Sequence, residues 1–363
     1  MTFDVLMDMG KLKNPFSGLG QFSYYYGKHI LNLRSPYLNW NFLVPSSLRG
    51  VFNKDISYEV TSLKRRFFPS LCRKYQLWHA LHQDSSYLPG DKDCPYVLTI
   101  HDLNFLKEKD YRKAGKRLIK LQEKVKRASA ITFISNYTAS ISKKNLNLAG
   151  KDLYVIHDGV EIDTEKKVQR PSYIPEGTYL FALGMVLKKK NFHVLIDFIR
   201  QLPEYNLIIA GDNSDAYAKK IMNEVRQYNL QGRVVLPGII SEDDKIYLYR
   251  HCESFLFPSI LEGFGLPVIE AMRFGKPVFL SSEASLPEIG ANMAYYWDSF
   301  DPGKMVDLYR SKLEYFKSDK ENLERKLIEH SKRYNWDTSI REYYNMYVSV
   351  INKHYRYDIE FIH

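Results

Sequence analysis

Phe257 to Gly275, FPSILEGFGLPVIEAMRFG, is the stretch that decides how the chain is organised. The apolar run Ser254 to Pro258 predicts a short buried strand, after which Gly263, Gly265 and Pro267 turn the chain into an amphipathic helix from Leu266. In a parallel sheet such a strand, loop, helix junction lies at the carboxyl ends of the strands, where ligands bind, and the helix start offers N–H groups to an anion. Two carboxylates sit there, Glu262 in the glycine-flanked loop and Glu270 one turn into the helix. Solvated acids near a helix start are common. Here the glycines let backbone approach a ligand closely and the proline suits the first helical turn. The residues by themselves point to an anion or sugar site.

The same loop and helix resemble the signature of retaining GT-B glycosyltransferases, specifically glycosyltransferase family 4. That signature is Glu, seven residues, Glu, within EGFGLPVIEAMRFGKPV, with Pro-Ser before it and Gly-x-Pro-Val after. The resemblance implies that Glu262 contacts the transferred sugar, that Glu270 holds the ribose hydroxyls, and that backbone amides of Phe264, Gly265 and Leu266 help to hold the diphosphate. It also implies the fold: two Rossmann-like α/β domains facing each other across a cleft, with a C-terminal helix crossing back to the first domain.

Composition agrees with a globular protein of that size. At 363 residues and 45% apolar the chain is long enough for two domains with ample core. No secretory n-region precedes an apolar run, and eighteen uninterrupted apolar residues occur nowhere, so a cytoplasmic protein is expected. Cys72, Cys94 and Cys252 are scattered, which predicts buried thiols and neither a disulfide framework nor a zinc site. Charge is unevenly shared. Residues 1–150 hold 24 Lys and Arg against 11 Asp and Glu, a formal +13 in a chain of +10, which leaves −3 for the remainder. Lys107 to Arg127 reads as a solvated helix face. Lys64 to Trp78, KRRFFPSLCRKYQLW, interleaves cations with Phe67, Phe68 and Trp78, which suits anionic lipid headgroups and would also suit nucleic acid. With no recognisable nucleic-acid fold, the inner face of a membrane is the favoured partner and nucleic acid is not expected.

The first half alternates strands and helices. Strands are predicted at Phe3 to Met7, Asn41 to Pro45, Ile56 to Val60, Leu77 to His82, Tyr96 to His101, Ala130 to Ser135 and Tyr154 to Ile156. The loop Asp8 to Gly20 ends in Ser17-Gly-Leu-Gly before a helix whose Phe22, Tyr25, Tyr26, Ile30 and Leu33 follow the helical period. Gly18, Gly20 and Ser23 almost spell a dinucleotide fingerprint. The third glycine, the short loop and the later acidic residue are missing, which argues against nicotinamide binding. By resemblance to the family's glycine-rich loop, Gly18 and Gly20 are candidate contacts to donor phosphate or acceptor. His101 ends an apolar strand in VLTIHDLNF; such a histidine is usually structural, but the segment resembles the family's Thr-x-His-Asp pattern, which puts His101 beside the transferred sugar with Asp102 behind it. His79 and His82 are assigned to the acceptor side. Ser135 to Thr138, SNYT, reads as a helix cap.

Polar, proline-bearing sequence from Ile162 to Glu176 resembles the family's hinge, and gives domains at 1–165 and 166–340, with 341–363 returning to the first. Beyond it strands are predicted at Tyr179 to Leu183, Asn206 to Ala210, Val234 to Leu236, Ser254 to Phe257 and Val278 to Leu280, with helices from Asn191, Ala216, Glu242 and Leu266. In GMVLKKKN, Lys189 and Lys190 face a helix start where phosphate would bind, and the resemblance puts Lys190 on the diphosphate. The Arg that many members carry after the glycine is Met185 here. After Tyr295 the chain reads as helical, ending in an amphipathic stretch capped by Asp337 and Thr338 with Trp336 as a staple.

The expectation is a metal-independent, cofactor-free, retaining glycosyltransferase that moves a hexose from a nucleoside diphosphate sugar to a glycan or lipid-linked acceptor in cell-surface polysaccharide synthesis. Lys190 would offset charge on the departing diphosphate, Glu262 and His101 would orient the sugar, and Glu270 would anchor the ribose. Thr-Ile-His-Asp-Leu and Lys-Lys-Asn look most like the mannosyltransferases, which makes GDP-mannose the expected donor. Asp91 and Asp93, in a turn, read as structural rather than metal-binding. A sugar-nucleotide epimerase of the same fold is the rival enzyme, and a non-catalytic nucleotide- or nucleic-acid-binding protein the rival of another class.

Overall fold

The computed structural model describes residues 2–15, 17–53 and 56–362, and the chain forms two compact units, Met1–Gly159 with Tyr334–His363, and Val160–Arg333. In the first unit the strands among the described residues are β1 (Phe3–Asp8), β2 (Leu38–Val44), β3 (Ser57–Val60), β4 (Leu77–Ala80), β5 (Tyr96–Ile100), β6 (Ala130–Phe133) and β7 (Asp152–Val155). They form one parallel sheet in the order β3-β2-β1-β4-β5-β6-β7. Its helices are α1 (Gly18–Asn32), α2 (Leu63–Phe67), α3 (Phe105–Glu108), α4 (Tyr111–Arg127) and α5 (Asn136–Asn145). In the second unit β8 (Tyr179–Leu183), β9 (Asn206–Ala210), β10 (Val234–Gly238), β11 (Phe255–Phe257), β12 (Val278–Ser281) and β13 (Tyr295–Trp297) form a parallel sheet in the order β10-β9-β8-β11-β12-β13. Around it run α6 (Val194–Arg200), α7 (Ala216–Gln227), α8 (Glu242–His251), α9 (Leu266–Arg273), α10 (Leu286–Gly290), α11 (Pro302–Ser318) and α12 (Lys320–Lys332). The last helix, α13 (Trp336–Tyr355), belongs to the first unit.

Continuous apolar runs explain the parallel sheets. Val5, Leu6 and Met7, or Leu207 to Ala210, point alternately to both faces and all are fully buried, which only a sheet covered on both sides permits. In each sheet the strand order reverses once, between β1 and β4 and between β8 and β11. The carboxyl ends of these neighbouring strands are where doubly wound sheets hold ligands.

One face of the first sheet is sealed by α1 and α13, through Phe22, Tyr26 and Ile30 against Tyr343, Tyr347 and Ile351. A buried hydrogen-bond chain ties them to the strands: Tyr26 Oη meets Tyr347 Oη, which lies 2.5 Å from His79 Nδ1, and His79 Nε2 lies 2.7 Å from Thr99 Oγ1, itself 2.7 Å from Thr132 Oγ1. His79 is therefore a core residue, not an acceptor contact, and burial pulls its imidazole down to about 3.

Several boundaries differ from the sequence reading. The first unit ends at Gly159 and resumes at Tyr334, rather than at 165 and 341, because Gly159 is pressed onto Trp336: a Cβ there would stand 2.4 Å from the Trp336 nitrogen. The polar segment read as a hinge is strapped to α8 instead. Arg250 Nη2 donates to the carbonyls of Thr164 and Lys166, Lys166 pairs with Asp243, and Tyr173 Oη donates to Asp244. Asn335, not Asp337 or Thr338, caps α13, its side chain accepting from the Thr338 N–H at 2.9 Å, and Trp336 is the buried first helical residue. Residues 295–297 form a strand where helix was expected, and α6 starts at Val194, after a 3-10 turn over Lys188–Lys190. Cys94 and Cys252 are buried thiols, while Cys72 is partly exposed.

Candidate functional site

At the β8/β11 reversal two loops meet. The first leaves β8 through Gly184, whose φ of +151° and contact with Gly211 require glycine: a Cβ at Gly211 would stand 2.1 Å from the Gly184 carbonyl oxygen. This tight crossing carries the chain into the Lys188–Lys190 turn, closed by Asn191 in the left-handed region at φ +58°. The second loop leaves β11 and runs through Glu262 to α9. The loops are stitched together by the Lys189 carbonyl, which accepts from the Ile260 N–H at 2.9 Å and the Ser259 hydroxyl at 3.1 Å.

That stitching brings Lys190 onto Glu262. The Lys190 ammonium is hydrogen-bonded to Glu262 Oε1 and lies 4.7 Å from the centre of the Phe257 ring, with both charged side chains only 13% exposed. A pair so placed is desolvated enough to be strong, yet still open to exchange with a ligand's charge. Behind it Ser285 Oγ donates to the Phe264 carbonyl at 2.5 Å, fixing the loop's return, and Phe264 itself is buried. Gly265 caps α9 with φ +127°, so the residue that precedes the helix's first N–H groups brings no side chain of its own to them. Leu266 and Pro267 follow in the first turn. Val268, Ile269, Ala271 and Met272 bury the helix, and Gly275 at φ +66° ends it, its N–H bonded to the Met272 carbonyl.

Glu270 stands one turn in, 14% exposed, and both of its oxygens are engaged: Oε1 by the Lys245 ammonium at 2.9 Å and Oε2 by the Tyr249 hydroxyl at 2.9 Å. Lys245 also pairs with Glu242 at 3.0 Å. Burial works against its charge, but the carboxylates of Glu270 and Glu242 outweigh that and push the ammonium's pKa up. Lys245 and Tyr249 are four apart on α8, and sequence reading passed over both. The signal was there as DDKIYLY, a cation and a tyrosine on one helical face, but nothing local says that this face meets α9.

At the β1/β4 reversal of the first domain the groups are sealed in. His101 follows β5 and is 3% exposed; its Nε2 is 2.8 Å from the Leu81 carbonyl, its N–H donates to Gln83 Oε1, and the Phe22 ring meets it edge-on at 4.7 Å. Burial brings its imidazole down to about 4, so it is neutral at pH 7. His82 stacks on it at 5.4 Å, its Nδ1 accepting from the Asp84 N–H, and is likewise lowered by burial. Asp8 ends β1, and burial raises its carboxyl against the hydrogen bonds from Ser85 and Gly10. Gly18 and Gly20 are in the first turn of α1 rather than in a loop before it, with Ser17 capping through the Gly20 N–H at 3.1 Å. A Cβ at Gly20 would stand 1.8 Å from the Asn14 carbonyl oxygen, so close packing explains that glycine, while Gly18 has open space beside it. Ser135 caps α5 as read, and Thr138 Oγ1 donates to the His101 carbonyl.

The structure thus brings Lys189, Lys190, Glu262, Phe264, Gly265, Leu266 and Glu270 to one end of the second sheet, and His101, Gly18 and Gly20 to the first domain. Met185 is 38% exposed beside them in the second domain. Among the described residues no three His, Cys, Asp or Glu side chains cluster so as to hold a metal ion, and no helix is long and apolar enough to cross a membrane.

Comparison with known proteins gives this geometry a context. Residues 163–334, nearly the whole second domain, match the family model described as "Glycosyl transferases group 1". The serotype-specific mannosyltransferase WbdA of Escherichia coli is 30% identical over 195 residues, half of this chain and 23% of that protein. The O-antigen chain mannosyltransferase RfbU of Salmonella typhimurium is 28% identical over 204 residues, 55% of this chain and 56% of that protein. The chain therefore spans about a quarter of the one relative and just over half of the other. Solved structures resemble it over nearly all its length: sucrose-phosphate synthase from Thermosynechococcus elongatus (TM-score 0.74, 15% identity, 97% of this chain and 100% of that one) and Anabaena HepE in complex with UDP and glucose (TM-score 0.70, 17% identity, 96% and 100%). The fold is GT-B.

Proposed function

We propose that this protein is a retaining, nucleotide-sugar-dependent glycosyltransferase of family 4, which moves a hexose to a glycan or lipid-linked acceptor in the synthesis of a cell-surface polysaccharide. The observation that carries the reading is the Lys190–Glu262 pair beside the α9 start, with Glu270 one turn further on, in the domain that matches the group 1 model. A departing nucleoside diphosphate needs positive charge, which Lys190 and the first N–H groups of α9 supply together. When the diphosphate takes Lys190, the Glu262 carboxylate is released to accept hydrogen bonds from the sugar and to stabilise its developing positive charge. Glu270, oriented by Lys245 and Tyr249, accepts from the ribose hydroxyls. His101, buried and held neutral beneath Phe22, supports the first domain's strand ends from inside rather than touching the sugar.

The donor is GDP-mannose on this reading, supported by the mannosyltransferases among the relatives; UDP-glucose, named with HepE, is the donor to test against it. No metal is needed where Lys190 and a helix start meet the diphosphate, so transfer survives EDTA. The basic first domain works at the inner face of a membrane. Thermal unfolding with GDP, UDP, ADP and CMP tests the core of the proposal. Ligand at about 100 times its dissociation constant adds roughly 2.7 kcal/mol of stability, and GDP is expected to act most strongly. No stabilisation by any nucleoside diphosphate at millimolar concentration would sink the reading.

A further inference from the structure

Four cations of the first domain converge on one concavity while most others of α4 face solvent. The segment after β4, the helix α2 and one face of α4 enclose a concavity of about 480 Å3. Arg66 enters it from α2, and Arg117, Lys120 and Lys124, spaced three and four apart, enter from α4. Two carboxylates share the lining, and each has its own cation. Asp84 is forked by Arg117, with Nε 3.2 Å from Oδ1 and Nη2 on Oδ2, and Glu123 pairs with Lys126 at 2.7 Å. Arg66, Lys120 and Lys124 are in none of the ion pairs assigned among the described residues. Lys124 is half-buried, donates one hydrogen bond to the Gln83 carbonyl at 2.6 Å, and keeps two further N–H groups to give. Burial lowers its pKa by more than the nearby Asp84 and Asp8 carboxylates raise it, and Arg117 and Lys11 add to the lowering. Apolar side chains flank Arg66 on α2 and the turn after it: Leu63 is 73% exposed, Phe67 62%, Phe68 60% and Leu71 69%.

We propose that this concavity is an anion site that takes the phosphate or diphosphate carried by the acceptor, with Arg66, Lys120 and Lys124 as its donors and Arg117 as a fixed wall. That the ligand is an acceptor rests on the glycosyltransferase reading; that the site binds a phosphoryl group does not. Three ammonium or guanidinium groups, one from α2 and two from one face of α4, line one pocket and can donate to a phosphate's oxygens together, and the flanking apolar side chains favour a phosphate borne on a lipid.

The test uses the full chain and inorganic pyrophosphate as the probe, by calorimetry at about 150 mM salt, where distant surface charges are screened, with the second domain's site saturated by nucleoside diphosphate. The double variant Arg66→Ser, Lys120→Ser changes only exposed side chains. It is expected to bind pyrophosphate at least roughly tenfold more weakly than the unaltered protein. The matched variant Lys143→Ser, Lys144→Ser removes the same charge from the exposed end of α5 and is expected to change affinity less than about twofold, as screened charges do. Equal losses in both variants, or no pyrophosphate binding to the unaltered protein, overturn the site. Nucleoside diphosphate binding by the same variants tells the two readings apart: kept while pyrophosphate is lost, it leaves the transferase reading standing, and absent while pyrophosphate binds, it removes that reading alone. Phosphatidylcholine vesicles with and without a polyprenyl phosphate then assign the source. Sedimentation that depends on the added lipid and is lost in the Arg66, Lys120 variant supports a lipid-borne phosphate, and no dependence supports a free phosphorylated sugar in the same pocket.

Discussion

At the β8/β11 reversal each carboxylate is matched to a cation and remains within reach of solvent, whereas at the β1/β4 reversal the histidines are buried and held neutral. Lys190, Glu262, Lys245 and Glu270 are 13–16% exposed, and His79, His82 and His101 only 0–5%. The strand order is the same, so topology places both sets but does not choose their electrostatics. The loops do. Glycines 184, 211 and 265, all at positive φ, hold two loops of the second domain close enough for oppositely charged side chains to meet. In the first domain Phe22 and the backbone of Leu81 close over His101. One end keeps paired charges within reach of solvent, and the other keeps its imidazoles inside the core.

The sharpest way to break this contrast is at Glu262. If its carboxylate acts once Lys190 has been drawn to the diphosphate, Glu262→Ala lowers kcat by about 100-fold or more, the scale set by loss of one electrostatic stabiliser. Nucleoside diphosphate affinity should stay the same or tighten several-fold, because Lys190 no longer has to leave an ion pair. A transfer assay and calorimetry on the same preparation check both, and small equal effects would make the pair merely structural. Glu270→Ala should do the opposite. It removes charge-assisted hydrogen bonds to the nucleotide worth about 1.5–3 kcal/mol, so affinity for the free nucleoside diphosphate falls roughly ten- to hundredfold. Unchanged affinity would mean that Lys245 and Tyr249 are its only partners.

The buried end is probed by pH. His101 titrates near 4 in the folded protein and near 6.5 unfolded, so between these values the unfolded chain binds the proton and the folded one does not. Its contribution to stability is complete above pH 6.5 and is lost as pH falls towards 4, with a slope of up to about 1.4 kcal/mol per pH unit. Asp8 and Asp158, raised by burial, act in the opposite sense over part of this range. The comparison of interest is therefore the protein against His101→Asn, by urea unfolding at pH 7 and pH 5. The variant should show the shallower loss, and identical slopes would mean that His101 is not held neutral.

Much of this was legible in the chain, and the failures have a common cause. Strands such as β1, β8 and β9 announce themselves by apolar runs, and the α9 junction by its glycines, proline and two acids. Trp78 was read as part of a basic surface, yet it is buried on β4, because a strand covered on both faces leaves no alternation by which to tell its sides. Arg65 and Arg73 in the same segment are tied to Glu59 and Asp4, and the exposed apolar positions turn out to be Leu63 and Leu71 beside Phe67 and Phe68. His79 was misassigned for the reason that Trp78 was. β13 is three residues long and only partly buried, too short to outweigh the helical sequence after it. Glu270's partners lie 21 and 25 positions away on α8 and were beyond any local pattern.

The smallest effect expected is a gain, and it tests whether the charge count at the second domain's reversal is complete. Met185 follows Gly184, 38% exposed, where the family resemblance implies an Arg; a Cβ on Gly184 would lie 3.3 Å from Lys190 Cε, so the position adjoins the ammonium proposed to meet the diphosphate. Met185→Arg should fold normally, since an exposed side chain is exchanged for another of similar length. Its guanidinium would stand beside Lys190 and raise the field on a diphosphate. Partly exposed charges contribute about 0.2–1 kcal/mol, which is a few-fold in affinity, and that gain should fade as salt rises. Calorimetry with nucleoside diphosphate at 50 and 500 mM salt measures it. A gain that persists at high salt would point to a direct bidentate contact, whereas weaker binding at low salt would show that Lys190 and Glu262 already balance the site, and that a second cation only competes for the carboxylate.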